Sequence, residues 1–495
     1  MKETDSLRQK EKARNKISEY KRIWITTDWE PNLISDKNAQ PGRMNRLAQY
    51  LTENGYEVVL WFTTFVHPEK RYLCGKTKII QMNENERIVL LHSSVPYKKN
   101  TSPMRFLYHS MLASEMKKMI EDGGQEFPKP DIIFCSYPTE QFCRVALKYG
   151  ERHQVPVIMD ARDQWPDIFV RAFPNKMQAL AKMTLNPMKD KTADDFSRAA
   201  AICAMSPVML RWALRYAGRE KSALDRYIFI GCEKTVLSED EMIRQSQAWR
   251  DKGISEETWN VCLFSTLSKS ALNLDTVIKA VCRVHDVYPQ IRLVIGGRGD
   301  DEERLKAMTD ALTYIFMAGW LDRNQMTSLM AISKVGLLCY RNTPDFRDGW
   351  GNKVGQYLSY SLPLITSSEG FAKRYIEKHS CGIAYKENDA DELSKNLIRL
   401  IEEPAWQKGL SDNAGKCYEA DFEEKKVLKK FEDMITDVCI AYYEESVFYE
   451  HIADQPLRRI DKDGHGVSPV LFGSKLGKGG AKRKHYSFEL LAFAA

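Results

Sequence analysis

Arg43–Asn54 (RMNRLAQYLTEN) sits between two apolar runs, Arg22–Thr27 (RIWITT) and Glu57–Phe62 (EVVLWF). Met44, Leu47, Ala48 and Leu51 recur at i, i+3, i+4 and i+7, which predicts an amphipathic helix closed by Gly55. The flanking runs are almost continuously apolar, as strands buried on both faces must be. Together they read as a β-α-β unit of a parallel sheet. The alternation continues through Arg87–Leu91, Asp131–Ser136, Pro156–Asp160 and Ala200–Met205, each a short apolar run. It lapses over residues 233–257, which are polar and charged. It resumes at Asn260–Ser265, Ile291–Gly296, Tyr314–Met317, Val335–Tyr340, Pro363–Thr366 and Gly382–Tyr385. Two such series predict two doubly wound α/β domains, with ligands at the carboxyl ends of their strands and a cleft between them.

The expected organisation is a charged leader (1–21), an N-terminal Rossmann-like domain (22–235), a linker (236–258), a C-terminal Rossmann-like domain (259–418), a helix (419–446) and a basic flexible tail (447–495). The chain has 495 residues, 43% hydrophobic and 28% charged, an ordinary globular composition. Its net charge of +6 is carried mainly by residues 456–495, where eight Lys/Arg face three acids. The rest is nearly neutral, which argues against a nucleic-acid binder. No apolar run is long enough for a membrane span, and the polar N-terminus does not resemble a secretory signal, so a cytoplasmic location is expected. Eleven cysteines are scattered without a C-x-x-C pair and read as reduced core thiols.

Motifs for several chemistries are missing: G-x-G-x-x-G after the first strand, H-E-x-x-H, G-x-S-x-G, and Cys/His metal spacing. Gly296-Gly297-Arg298-Gly299 follows a strand and reads either as a tight turn or as a phosphate cradle. GSKLGKGG in the tail lacks P-loop spacing.

Several segments, in order, resemble the retaining GT-B glycosyltransferases of family 4, the group that builds bacterial surface polysaccharides. Gly42-Arg43-x-x-x-Leu47-Ala48-x-x-Leu51-x-x-x-Gly55-Tyr56-Glu57-Val58 is similar to that family's first helix and second strand. Thr63–Lys70 and Asp160–Asp167 are similar to elements of its amino-sugar branch. Leu293–Gly299, Ala318–Leu321 and Asn352–Ile365 resemble its donor-domain turns and helix. The resemblance implies a GT-B fold whose C-terminal helix returns to the first domain. It also implies transfer of a hexosyl or N-acetylhexosaminyl group from a nucleotide-sugar to a glycan or lipid-linked acceptor. No cofactor or metal is implied, since GT-B enzymes neutralise the leaving diphosphate with helix amides and basic side chains.

By that resemblance the catalytic candidates are Asp163, Lys353 and Asp348. The donor-binding candidates are Gly42, Ser265, Lys269, Gly297, Arg298, Gly319, Trp320, Asn352, Lys353 and Gln356. Each has a plainer reading: Lys353 and Lys269 as solvated lysines, Gly42 as a helix-entry turn, Asp163 as half of an Asp–Arg pair. The family often carries E-x7-E where this chain has Asp348 and Gln356. Gln can accept a ribose hydroxyl but brings no charge, so a non-catalytic GT-B homologue acting as a partner subunit stays open. A nucleotide-sugar epimerase is a further alternative. Gly355 is unexpected inside a helix. His67 and His92 read as structural or acceptor-side. Met104–Ile120 has an apolar stripe that is either core or a contact with the inner membrane face.

Overall fold

The computed structural model describes residues 20–28, 41–67, 70–97, 103–122, 127–171, 173, 175–343, 346–347, 349, 351–453, 459–460 and 466–467. The leader, most of the tail and Asp348 lie outside the described residues. Residues up to Tyr442 form one compact unit holding two large sheets and a small hairpin, Phe65–Val66 with Arg71–Tyr72. In the remainder, Arg459–Ile460 pairs antiparallel with Gly466–Val467.

The first sheet has eight strands: β1 (Arg22–Thr26), β2 (Glu57–Thr63), β3 (Lys78–Asn83), β4 (Glu86–Leu91), β5 (Ile132–Tyr137), β6 (Val157–Ala161), β7 (Ala201–Ala204) and β8 (Arg226–Tyr227), in the order β8-β7-β6-β5-β1-β2-β4-β3. All neighbours are parallel except β3, which pairs antiparallel with β4 at the edge. The central strands are buried on both faces, as their apolar runs require. Helix α1 (Arg43–Glu53) joins β1 to β2 and buries Met44, Leu47, Ala48 and Leu51, the predicted face. The order reverses between β1 and β5, so that point opens the sheet's ligand crevice.

Helix α2 (Pro103–Asp122) covers this sheet. Its stripe is mainly core: Tyr108, Leu112 and Met116 are fully buried, and only Met104 and Leu107 are exposed. The expected membrane face along this helix is therefore confined to its first turn. Further along are α3 (Glu140–His153), α4 (Asp167–Arg171), α5 (Gln178–Thr184), α6 (Asn186–Ser197) and α7 (Pro207–Ala217).

The stretch expected as a linker carries α8 (Glu239–Arg250), capped by the Ser238 hydroxyl. Its Trp249 is buried in the second core and donates from Nε1 to Ser328 Oγ at 3.0 Å. Residues 236–258 thus contribute to the second lobe as well as leading to it. That lobe has six parallel strands: β9 (Trp259–Phe264), β10 (Ile291–Gly296), β11 (Ile315–Gly319), β12 (Ser333–Leu338), β13 (Leu364–Thr366) and β14 (Gly382–Ala384). Their order is β11-β10-β9-β12-β13-β14. Here the reversal falls between β9 and β12.

Two strips of chain connect the lobes side by side. The Cys232 amide donates to Phe422 O at 2.8 Å, and Cys232 bridges Glu423 in parallel. A π-helical turn, Tyr418–Phe422, precedes the long helix α9 (Glu424–Ala453), which returns to the first lobe. Phe431 packs on Phe134 at 5.6 Å, Tyr50 and Tyr56 donate to Glu432, and Arg46 pairs with Glu424. The Gly355 anomaly resolves at this crossing. A Cβ there would lie 3.0 Å from the Cys232 Cβ, so the missing side chain lets the helix pack closely against the Cys232 side chain.

Arg43 locks the first lobe. Its guanidinium pairs with Asp160 at 3.2 Å, donates to Ile228 O at 3.0 Å and lies 4.5 Å from the Phe431 ring centroid. Both members of the pair are buried. Removing one strands a charge out of water, so Asp160→Ala is expected to cost ~3–5 kcal/mol. The double variant Arg43→Met/Asp160→Leu is expected to recover part of that. Urea unfolding of the three proteins measures both effects.

Candidate functional site

The second lobe's switch point gathers most of the donor candidates. Ser265 follows β9, and its amide donates to Gly296 O at 3.0 Å. Gly297 has φ +140°, and a Cβ on it would fall 1.8 Å from Ser265 O. A Cβ on Gly299 would fall 2.0 Å from Leu267 O. The Leu267 amide donates to Arg298 O at 2.9 Å, and the Gly297 amide donates to Gly319 O at 2.6 Å. Gly319 takes φ +67°. Glycine is thus what allows the loops after β9, β10 and β11 to pack backbone on backbone. The Arg298 and Lys269 side chains are exposed on these loops. The Lys269 carbonyl accepts from Arg341 Nε at 2.7 Å.

Helix α10 (Asn352–Ser359) starts from Gly351 on the other side of this point. Tyr357 anchors it: the ring is fully buried and its hydroxyl accepts from the Phe264 amide at 2.9 Å. One turn earlier, the half-buried Lys353 places its ammonium 6.0 Å from the Phe264 ring centroid. Burial holds its pKa below the ordinary lysine value. Asn352 opens the helix.

A cavity of about 600 Å³ lies beside these loops. Gln356 and Ser359 of α10 line it, with Trp320, Asp322 and Arg323 after β11 and Thr235 of the connector. Gln356 Oε1 is buried and accepts no hydrogen bond, an acceptor left for an incoming donor. Trp320 is 67% exposed, so its ring is open to stacking. Ser265, Gly297, Gly319, Trp320, Lys353 and Gln356 therefore belong to one neighbourhood.

The first lobe's switch point holds residues that no local pattern singled out. Asp28, just past β1, lies 2.8 Å from His109 Nε2 of α2, and both are buried. A ring nitrogen that close to a carboxylate oxygen carries a proton. Burial pushes the Asp28 carboxyl up, but His109 and Arg105 outweigh it, and its pKa falls from 3.8 to about 2. The Arg105 guanidinium lies over Trp165 at 4.8 Å and Tyr97 at 5.7 Å, and Lys70 lies over Tyr97 at 4.6 Å. His67 contacts the Tyr97 hydroxyl. Burial, Lys70 and Arg105 bring its pKa down to about 4, so the ring is neutral at pH 7. His92 pairs with Thr64 Oγ1 at 3.0 Å and packs on Tyr72 at 4.9 Å.

Gly42 is the N-cap of α1 in extended conformation. Asp163 is exposed after β6, whose own Asp160 is taken by Arg43. Both belong to the first lobe.

A carboxylate with a lowered pKa stabilises the fold above the unfolded value and loses that contribution as pH falls through the folded one. For Asp28 the window runs from about 4 down to about 2. His109→Gln is expected to move the acid-unfolding midpoint up and to cost ~2 kcal/mol at pH 7. Thermal melts from pH 2 to 7 read this.

Residues 245–416 match the family described as Glycosyl transferases group 1. An uncharacterized glycosyltransferase of Methanocaldococcus jannaschii is 24% identical over 263 residues, covering 52% of this chain and 64% of that protein. The match thus spans less than two thirds of that relative's length. Among solved structures, sucrose-phosphate synthase of Thermosynechococcus elongatus is similar at TM-score 0.61 and 15% identity, over 85% of this chain and 99% of that one. HepE of Anabaena in complex with UDP-glucose is similar at TM-score 0.55 and 13% identity, over 84% and 99%. The fold is GT-B, and the family match falls on the second lobe.

Proposed function

We propose that this chain is a retaining glycosyltransferase, similar to family 4. It would move a hexosyl or N-acetylhexosaminyl group from a nucleotide-sugar to a glycan or lipid-linked acceptor in cell-surface polysaccharide or glycolipid biosynthesis. It works in the cytoplasm, at the inner membrane face, and without a metal or other cofactor. The observation that carries the reading is the second-lobe neighbourhood. There a glycine cradle, a half-buried cation at a helix start and an orphaned acceptor meet at one switch point.

In this reading the nucleoside enters the cavity, with its base beside Trp320 and a ribose hydroxyl donating to Gln356 Oε1. The diphosphate lies against the loop after β9 and the first turn of α10, where amides and Lys353 meet its charge. The bond from the anomeric carbon to the phosphate oxygen breaks, and a bond to the acceptor oxygen forms on the same face. The acceptor proton passes to the departing phosphate oxygen, so no dedicated base is required. Arg298 and Lys269 add positive potential from the exposed rim. Gly42 is assigned to donor binding from the first lobe and Asp163 to the catalytic set, holding an acceptor or sugar hydroxyl; Asp348, the remaining catalytic candidate, lies outside the described residues.

Gln356 in place of a carboxylate favours one second reading, a GT-B subunit that binds nucleotide without turnover. A panel of nucleotide-sugars, assayed with and without chelator, separates the two. Saturable binding with nucleotide release supports the transferase. Binding without release, even with membrane extract as acceptor, supports the subunit. No binding to any donor overturns both.

A further inference from the structure

Among the described residues, six of the thirteen large apolar side chains that are exposed sit in two short stretches of the first lobe. Phe173, Met177, Leu180 and Met183 are 44%, 48%, 60% and 69% exposed. Met177, Leu180 and Met183 are spaced by three, Met177 at the N-cap of α5 and the other two on the helix, which buries only Ala181. Gln178 donates to Phe173 O at 3.2 Å, tying Phe173 to the start of that helix. Met104 and Leu107 stand on the first turn of α2. Between them, Phe106 packs on Trp165 at 5.6 Å and on Phe169 of α4 at 5.8 Å. One aromatic stack thus joins the two stretches.

Lys176 and Lys182, both exposed, interleave with these side chains. From Arg171 to Lys191 the chain carries five basic residues and one acid. Lys189 among them pairs with Asp167 at 3.4 Å, which leaves Lys176 and Lys182 as the basic side chains next to the protruding apolar groups. A partner helix or a second copy would need the apolar row alone. Interleaved lysines beside protruding Met, Leu and Phe match an interface with headgroup phosphates above and acyl chains below.

We propose that the face formed by Phe173, Met177, Leu180 and Met183, flanked by Lys176 and Lys182, docks on an anionic lipid bilayer. Met104 and Leu107 extend that face toward the first lobe's switch point. Docking would hold Asp28, His109 and Arg105 near the surface where a lipid-linked acceptor resides. This deepens the membrane contact proposed above, and it can fail without touching glycosyl transfer, because it is read without any donor.

The test is co-sedimentation of the full chain with vesicles of phosphatidylcholine alone and of equimolar phosphatidylcholine and phosphatidylglycerol. Wild type is expected to bind the anionic vesicles and to be released by salt. Leu180→Asp/Met183→Asp and Lys176→Glu/Lys182→Glu are each expected to weaken binding at least ~10-fold. Both pairs are exposed, and melting curves check that the fold is kept. Three results would overturn the proposal. One is no binding of wild type to anionic vesicles, or equal binding to neutral ones. Another is binding unchanged by both double variants, which would place the contact in the basic residues 456–495. The third is a concentration-dependent dimer, seen by light scattering and lost in Leu180→Asp/Met183→Asp, which would assign the face to a second copy.

Discussion

Lys353→Ala is expected to lower turnover of the cognate nucleotide-sugar by ~10²–10³ while leaving the melting temperature unchanged or raised. The two halves of that outcome share one cause. Lys353 is half-buried at the first turn of α10, against the Phe264 ring, and its desolvation lowers its pKa. The unfolded chain therefore binds the proton more tightly than the folded one. The charged form costs its full penalty below the folded pKa, the cost shrinks as pH rises from there and is gone above the unfolded value, and removing the side chain relieves it. A cation kept at such a cost needs a ligand that compensates it. A leaving diphosphate develops charge in the transition state, where a fixed ammonium counts most. The reading predicts a fall in kcat larger than the change in donor Kd, with Lys353→Arg intermediate. Calorimetric titration with nucleoside diphosphate, beside single-turnover rates, separates the two. A variant that turns over like wild type would return Lys353 to an ordinary first-turn lysine.

How legible the molecule was depended on whether a feature wrote itself into neighbouring residues. Strands buried on both faces did, because each needs a run of apolar side chains. Helix α1 did, because its buried face repeats every turn. Edge strand Lys78–Asn83 did not, since none of its residues is buried and half of its side chains are polar. Helix α8 was hidden in a polar stretch because it buries only Ser246 and Trp249 while three acids fill its first turn. The residues of the proposed donor neighbourhood could be grouped from sequence, since its glycines and Lys353 lie at strand ends and one helix start. Asp28 and His109 left no such trace. They are far apart in the chain, and only the placement of β1 under α2 brings carboxylate to imidazole. The stripe on α2 was misleading in the opposite way: an amphipathic pattern states that one face is covered, not by what. Tyr108, Leu112 and Met116 are covered by the first lobe itself. The apolar row on α5, which nothing in the described residues covers, spans too few turns to stand out from sequence.

Gly297→Ala is expected to be strongly damaging, and Gly319→Ala mild, although both glycines have positive φ. At Gly319 the backbone sits at φ +67°, a region other residues enter at ~1–2 kcal/mol, and a Cβ would meet nothing within 4 Å. At Gly297 the φ of +140° is one that side chains rarely adopt, and the Cβ would overlap the Ser265 carbonyl oxygen at 1.8 Å. That oxygen belongs to backbone and has no rotamer through which to yield. Either the loop after β9 moves or the Gly297–Gly319 hydrogen bond opens, and each displaces the cradle. The expected loss is on the order of 3–5 kcal/mol of stability. Where the protein still folds, nucleotide affinity is expected to fall with it, because the displaced loop carries Ser265. Gly319→Ala should lose only ~1 kcal/mol and keep the affinity. Urea unfolding and nucleotide titration of both variants distinguish local strain from loss of the cradle. Equal, small effects at the two positions would mean that the loops do not approach as closely as the geometry requires, and the donor assignment would lose its central support.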